Sequence, residues 1–181
     1  MDAVTRLHTD ALSERQVQAI RELLWAAFAD DPHGGFSEDD WQHALGGVHF
    51  VLERDGAVLC HASVVLRELQ MGGRPLRTGY VEAVATLPGH QGAGLGTLVM
   101  RAVGSHIAQT YELGALGTGS HGFYERLGWR TWRGPSSVRT SEGDRTTPDE
   151  DGYIMVLPTP TSPDLDLTSS ISCAWRPGDV W

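Results

Sequence analysis

Tyr80-Val-Glu-Ala-Val-Ala-Thr-Leu-Pro-Gly-His-Gln-Gly-Ala-Gly-Leu-Gly96 joins an apolar, strand-like run to a cluster of glycines. Leu95, Leu98, Val99, Ala102, Val103, His106 and Ile107 then recur at i, i+3, i+4 spacing, so the stretch after the glycines reads as a helix with one apolar face. The first-turn N–H groups of such a helix have no carbonyl partner within it and carry partial positive charge. Gly92, Gly94 and Gly96 have no Cβ, which leaves the backbone open to a bulky anion. The segment is a strand, turn and helix unit of an α/β protein, shaped to cradle a pyrophosphate.

Other phosphate-binding loops fit these residues poorly. A P-loop closes on Gly-Lys-Ser/Thr, and the chain contains no lysine. A dinucleotide fold places its glycines after the first strand of a βαβ unit with an acid about 20 residues on. Here the glycines lie mid-chain and Glu112 stands in a different context. Gln91-Gly-Ala-Gly94-Leu-Gly96 follows the pattern Gln/Arg-x-x-Gly-x-Gly/Ala and resembles the acyl-coenzyme A loop of the GCN5-related N-acetyltransferases (GNATs). An ordinary glycine-rich turn could carry the same residues, but a second patch weighs against it. Ser120-His-Gly-Phe123-Tyr124-Glu-Arg-Leu127-Gly128-Trp129 offers a Ser N-cap, a short helix, a Gly stop and an aromatic start to the next strand. It is similar to the Phe-Tyr-x-x-x-Gly-aromatic helix of the same superfamily. The resemblance implies the GNAT acyl-CoA N-acyltransferase fold: an α/β mixed central sheet flanked by helices, with strands splayed at a coenzyme wedge. It further implies acetyl-CoA as cosubstrate, held by Val84, Ala85, Gln91, Gly92, Ala93, Gly94, Leu95, Gly96 and Thr97.

The chain has 181 residues, 40% hydrophobic and 20% charged, which suits one globular domain, 1–181, with a sizeable core. Its 23 acids outnumber its 14 bases, all of them arginine, for a net charge of −9. Such a surface repels nucleic acid and anionic lipid and attracts cations. There is no run of about 18 apolar residues to span a membrane. The N-terminus lacks the apolar region of a secretory signal, so a cytoplasmic protein is expected. Cys60 and Cys173 lack metal or redox spacing and read as free thiols, and the eight histidines show no ligand spacing, so no metal is expected.

Ser13-Glu-Arg-Gln16 predicts a capping box for a helix whose apolar face is Val17, Ile20, Leu24, Ala27 and Phe28. A loop at 30–35 ends it, and a second helix starts at Ser37 with Phe36 and Trp41 as a hydrophobic staple. Strands at 48–53 and 57–69 join at Asp55-Gly56, and Gly72-Gly73 turns the chain into the strand carrying Glu82. After the central helix come a short strand at 113–116 and sheet elements at 131–139 and 153–157. The polar, acidic stretch 140–152 is expected to be a loop, and the Pro-, Ser- and Asp-rich stretch from 158 an irregular tail reaching to 181.

An amine must lose a proton as it attacks a thioester, and a nearby carboxylate can take it directly or through water. Strand alternation puts Tyr80, Glu82, Val84 and Thr86 on one face, which makes Glu82 a charge in apolar surroundings that raise a carboxyl pKa. Glu82 is therefore the candidate base, and the Val84 N–H, two residues on, the candidate donor to the developing oxyanion. Tyr124 is the candidate acid for the departing thiolate. Neither cysteine has a charged activator nearby in sequence, which favours direct transfer over an acyl-cysteine.

Asp39, Asp40, Glu82, Asp149, Glu150, Asp151 and Asp179 supply acids, several from loops, and Trp181 ends the sequence with a further carboxylate. Together they suit a polycation through charge-assisted hydrogen bonds. The segments Asp40-Trp41-Gln-His43-Ala-Leu45-Gly46-Gly47-Val-His49, Gly79-Tyr80-Val81-Glu82, Thr147-Pro148-Asp149-Glu-Asp151-Gly152 and Trp175-Arg-Pro-Gly178-Asp179-Val180-Trp181 resemble the actinobacterial aminoglycoside 2′-N-acetyltransferases. The resemblance implies acetyl-CoA-dependent acetylation of the 2′-amine of cationic aminoglycosides, antibiotic resistance, and a homodimer. It implies that Asp40, Glu82, Asp179 and Trp181 hold the drug, with Ala83, Gly117 and Glu150 also lining the substrate side. Glu82 becomes a water-assisted base and the C-terminal tail folds back to the pocket. Gly35, Gly117 and Glu150 depart from residues found in relatives. The same chemistry on an endogenous amino sugar or polyamine is the alternative enzyme reading. A non-catalytic drug or acetyl-CoA binder is the other, and the presence of Glu82 and Tyr124 speaks against it.

Overall fold

A computed structural model describes residues 3–31 and 34–181, so Pro32 and His33 of the expected 30–35 loop lie outside the described residues. In chain order the elements are β1 (Val4–His8), α1 (Glu14–Ala27), α2 (Glu38–His43), β2 (Val48–Arg54), β3 (Ala57–Met71), β4 (Arg74–Thr86), α3 (Leu95–Thr110), β5 (Leu113–Gly117), α4 (His121–Glu125), β6 (Arg130–Thr131), β7 (Ser136–Thr140), β8 (Gly143–Thr146), β9 (Ile154–Pro158) and β10 (Ile171–Ala174). They group into two compact units, one of Met1–Val65 with Val81–Val103 and one of Leu66–Tyr80 with Gly104–Trp181. Strands β3 and β4 and helix α3 contribute residues to both.

In the first unit, β1 pairs antiparallel with β2, and β2 with β3. The β2–β3 turn takes φ of 50° at Asp55 and 80° at Gly56, the left-handed pair that suits a tight hairpin, as the Asp-Gly signal predicts. The predicted capping box forms at α1, where Gln16 closes on Ser13, and a second one, which the sequence reading did not give, forms at α2, where Asp40 closes on Ser37. Ile20, Leu23 and Leu24 of α1 are buried with Trp41, Ala44, Val51, Val58 and Ala85. Truncating one such leucine to alanine costs about 2–5 kcal/mol. Phe36 packs at the edge of this cluster, its ring 5.1 Å from Trp25 and 5.6 Å from Phe28. Gly47 is required by close approach, because a Cβ there would collide with the Val64 carbonyl oxygen.

The second unit is a mixed sheet in the order β6-β9-β5-β4-β3-β10-β7-β8. β4–β5 and β10–β7 are parallel pairs, while β5–β9, β6–β9, β3–β10 and β7–β8 are antiparallel. Three expectations are corrected here. The stretch 140–152 is not wholly a loop, since Gly143–Thr146 forms β8 against β7; all four of its side chains are exposed, so no apolar alternation marked it. The single element at 131–139 is two strands, β6 and β7, because Pro135 lacks an N–H and Gly134 lies against the Ser169 carbonyl, where a Cβ would collide. The tail from 158 is irregular only to Ser170, after which Ile171–Ala174 enters the sheet between β3 and β7. The irregular part is itself held, with the Arg133 and Gly134 amides donating to the Leu167 carbonyl and the Trp132 indole N–H to that of Ser169.

His49 and His61, on β2 and β3, are fully buried in the first unit, with Nδ1 of His49 2.9 Å from Nε2 of His61. Burial lowers the pKa of His49 to about 4, and burial together with the neighbouring His49 lowers that of His61 to about 3. Both therefore stay neutral in the fold at pH values where an unfolded histidine takes a proton. Their contribution is complete above the ordinary histidine range and is lost as pH falls below it. Stability measured by urea unfolding is expected to fall by on the order of 2–3 kcal/mol between about pH 7.5 and about pH 5.5, before the carboxylates titrate. A flat profile over that interval would show that both histidines are protonated in the folded chain, and a fall of about half that size that one of them is.

Candidate active site

In the first unit, β4 ends in a backbone irregularity that the sequence hides. Ala83 has φ of +52°, the left-handed region, in the middle of a strand. A non-glycine residue held there costs about 1–3 kcal/mol, and such strain concentrates at functional sites. The turn interrupts the extended backbone: Glu82, Ala83 and Val84 are all half-buried, while Val81 and Ala85 are buried. Ala83, Ala85 and Leu87 still pack on one apolar cluster, as the expected alternation has them. The carbonyls on either side of the turn are taken by side chains of β3. His61 Nδ1 lies 2.8 Å from the Ala83 oxygen, and the Ser63 hydroxyl donates to the Glu82 oxygen at 3.5 Å.

After β4 the chain turns through Gly89, Gly92 and Gly94, with φ of +85°, +79° and +81°. A Cβ built on Gly92 or Gly94 would meet nothing within 4 Å, so the backbone there is bare as well as left-handed. The Leu98 amide donates to the Gly94 carbonyl at 3.1 Å, which makes Gly94 the cap of α3 and leaves the amides of Leu95, Gly96 and Thr97 outside the i→i−4 ladder. The Gln91 side-chain amide donates back to the Thr86 carbonyl at 3.5 Å, and Ala93 is exposed beside it. This bare, left-handed loop with free amides fits a pyrophosphate. Leu95 and Val99 are buried as predicted, but Leu98 is 40% exposed and Met100 takes an inward place that the periodicity did not give it. The Asp40 carboxylate is engaged by its own helix, its Oδ2 accepting from the Ser37 amide at 2.8 Å and the Ser37 hydroxyl at 2.7 Å.

In the second unit, Gly117, Glu150, Asp179 and Trp181 come together. A Cβ on Gly117 would lie 3.8 Å from the Trp181 carbonyl carbon and 3.8 Å from the Tyr80 hydroxyl. The buried Trp181 ring donates its indole N–H to Thr147 at 3.0 Å, and the Trp181 amide donates to Asp179 Oδ1 at 3.1 Å. Burial, then the nearby Asp179 and Asp149 carboxylates, push the Glu150 carboxyl above its usual range. Asp151 is spent on structure, accepting from the Ser136 amide and hydroxyl at 2.8 and 2.7 Å. Tyr124 is buried on α4, edge-on to Phe123 at 4.9 Å and Trp129 at 6.0 Å. Ser120 stands at the N-cap of α4 without a side-chain capping bond, contrary to the sequence expectation; its amide is bonded to the Thr118 hydroxyl at 3.0 Å. Cys60 and Cys173 are buried and free, and burial raises both thiol pKa values.

The sequence reading missed two arginines that fix the tail. Arg67 donates to the Ala174 and Val180 carbonyls at 3.1 and 2.8 Å, and Arg176 to those of Asp179 and Trp181 at 2.7 and 3.2 Å. Their guanidinium carbons lie 4.6 and 5.6 Å from the Tyr80 ring centroid. A lone arginine interrupting the apolar β3 run was the available signal. Among the described residues no cluster of His, Cys, Asp or Glu could hold a metal ion, and no helix is long and apolar enough to cross a membrane.

Residues 8–132 match the model of the Acetyltransferase (GNAT) domain, and the chain belongs to the GNAT acetyltransferases. Over 179 residues, 97% of this chain and 90% of the relative, it is 42% identical to an aminoglycoside 2′-N-acetyltransferase of Mycolicibacterium fortuitum. Its fold matches a GNAT family acetyltransferase of Brucella melitensis, solved in complex with acetyl-CoA, with a TM-score of 0.63 at 20% identity over 97% of each chain. It also matches Escherichia coli ElaA, with a TM-score of 0.62 at 18% identity, covering 87% of this chain and 99% of that one.

Gly94→Glu would set both volume and negative charge on the bare loop. Acetyl-CoA affinity, measured by calorimetry without a second substrate, is expected to weaken by at least about tenfold, or 1.4 kcal/mol. Unchanged affinity in a folded variant would place the pyrophosphate elsewhere.

Proposed function

We infer that this chain transfers an acetyl group from acetyl-CoA to the 2′-amine of aminoglycoside antibiotics, directly and within a ternary complex, and so confers resistance. The observation that carries this reading is its 42% identity, over 97% of its length, with an enzyme of that name. The acidic cluster of Asp149, Glu150 and Asp179 supplies the physical reason. Burial of Glu150, together with the Asp179 and Asp149 charges beside it, disfavours its ionised form, and an ammonium group bound there would favour it.

Acetyl-CoA supplies the activated thioester carbonyl. Gly92, Gly94 and the amides of Leu95, Gly96 and Thr97 would hold its pyrophosphate, flanked by Gln91 and Ala93, with Val84 and Ala85 along the strand. Glu82 takes the proton of the attacking 2′-amine through a water molecule. The Val84 N–H donates toward the carbonyl oxygen as negative charge develops on it, and Tyr124 returns a proton to the departing sulfur. Asp40, Ala83, Gly117, Glu150, Asp179 and Trp181 receive the drug, with the tail folded to the substrate side by its arginine contacts. The whole chain acts as one catalytic domain. The buried free thiols support a reducing cytoplasm as its compartment, and the resemblance to the aminoglycoside enzymes supports a homodimer.

Glu82→Gln is expected to lower kcat/KM by about 10²–10⁴ with altered dependence on the basic limb of the pH profile, and Tyr124→Phe to lower turnover with little change in drug affinity. The nitrogen acetylated, read by NMR of the product, is expected to be the 2′ one, and analogues with a 2′-hydroxyl are expected to bind without turnover. A different nitrogen as the main product, or wild-type rates in both variants, would refute the scheme.

Asp179→Asn keeps the oxygen that accepts the Trp181 amide and removes the charge. It is expected to raise aminoglycoside KM by about tenfold with acetyl-CoA KM unchanged. An unchanged drug KM would make the acid structural alone.

A further inference from the structure

The buried histidines have a direction. The Ala83 carbonyl oxygen can only accept, so His61 Nδ1, 2.8 Å away, carries the proton and its Nε2 is an acceptor. His49 Nδ1, 2.9 Å from that Nε2, must then donate, which leaves His49 Nε2 to accept from the Thr9 hydroxyl at 2.8 Å. Thr9 Oγ1 in turn accepts the Gly46 amide at 2.9 Å. The Gly47 carbonyl, 3.4 Å from Thr9 Oγ1, is a longer alternative acceptor for the hydroxyl proton, while the direction of the two histidine links is fixed by the carbonyl of Ala83, the one residue of β4 with left-handed φ. The pairing of β2 and β3 sets it up: His49 lies opposite Ser63, and His61 sits two residues before Ser63 on the same face. Among the described residues no group of three or more His, Cys, Asp or Glu could hold a metal ion, and both rings are too deeply buried to act on a substrate.

We propose that the Thr9–His49–His61 chain holds the left-handed turn at Ala83 and thereby aims the adjacent Glu82 carboxylate, which makes His61 a positioning residue for acetyl transfer. Without the His61 bond, Ala83 relaxes toward extended backbone and Glu82 rotates off line. This rests on Glu82 as the base.

The test combines kinetics with a spectroscopic reading. His61→Phe keeps ring volume and removes the donor; kcat with an aminoglycoside is expected to fall at least about tenfold, while acetyl-CoA affinity stays within about twofold. His61→Asn restores an N–H near the position of Nδ1 and is expected to recover kcat to within about threefold of wild type. Ala83→Gly, placed in the His61→Phe background, removes the steric penalty on the turn and is expected to recover most of the loss. A folded His61→Phe variant with wild-type kcat, or a loss that neither second change recovers, overturns the proposal. Nitrogen-15 chemical shifts of the wild-type protein bear on it whether or not the variants fold: both rings are expected to be Nδ1–H tautomers, and an Nε2–H tautomer at His61 overturns it. Glu82→Gln assayed in parallel separates the two readings, since a wild-type rate there removes the base assignment, whereas its loss beside an unaffected His61→Phe removes only the positioning role.

Discussion

Ala83 lies in left-handed backbone inside β4, and the carbonyl it turns aside is received by His61 from β3. Much of the first unit can be followed outward from this one hydrogen bond. A neutral, donating His61 requires His49 to donate from Nδ1 behind it, burial keeps both rings neutral, and β2 and β3 meet in the register that puts His49 opposite Ser63. The close approach at Gly47, where no side chain fits against Val64, sits beside the Gly46 amide at the far end of the same chain of bonds. A network so fully satisfied contributes definition more than raw stability, because each member left unpaired would cost its full desolvation.

The loop that follows β4 works on the opposite principle. At Gly92 and Gly94 a Cβ would meet nothing within 4 Å, and the first amides of α3 lie outside its i→i−4 ladder. One end of the strand is therefore over-determined and the next few residues are left bare, which is the distribution a site needs when a carboxylate must be aimed and a polyanion accepted close by. The second unit handles its acids similarly: Asp151 is consumed by β7, whereas burial, and after it the nearby Asp179, makes Glu150 resist ionisation.

Much of this was legible in the sequence, for identifiable reasons. The Asp55-Gly56 and Gly72-Gly73 turns, the Ser13–Gln16 capping box and the glycine loop depend on residues with strong local preferences, and these stand where predicted. β8 and β10 were not legible, because they owe their conformation to backbone pairing with strands distant in sequence and not to side-chain pattern. The turn at Ala83 escaped because alanine carries no signal for positive φ, and the histidine that meets its carbonyl lies 22 residues earlier. Asp40 and Glu82 could be picked out as acids, but the capping bonds to one and the turn beside the other emerge only from the fold.

The most direct test of the account is a crystal structure of the ternary complex with coenzyme A and an aminoglycoside bearing a 2′-amine. The account predicts the pyrophosphate on the Gly92–Gly94 backbone, the 2′-nitrogen joined to the Glu82 carboxylate through a single water, and Ala83 still left-handed with its carbonyl on His61. A different amine facing Glu82, or a coenzyme that leaves the glycine loop untouched, would contradict it.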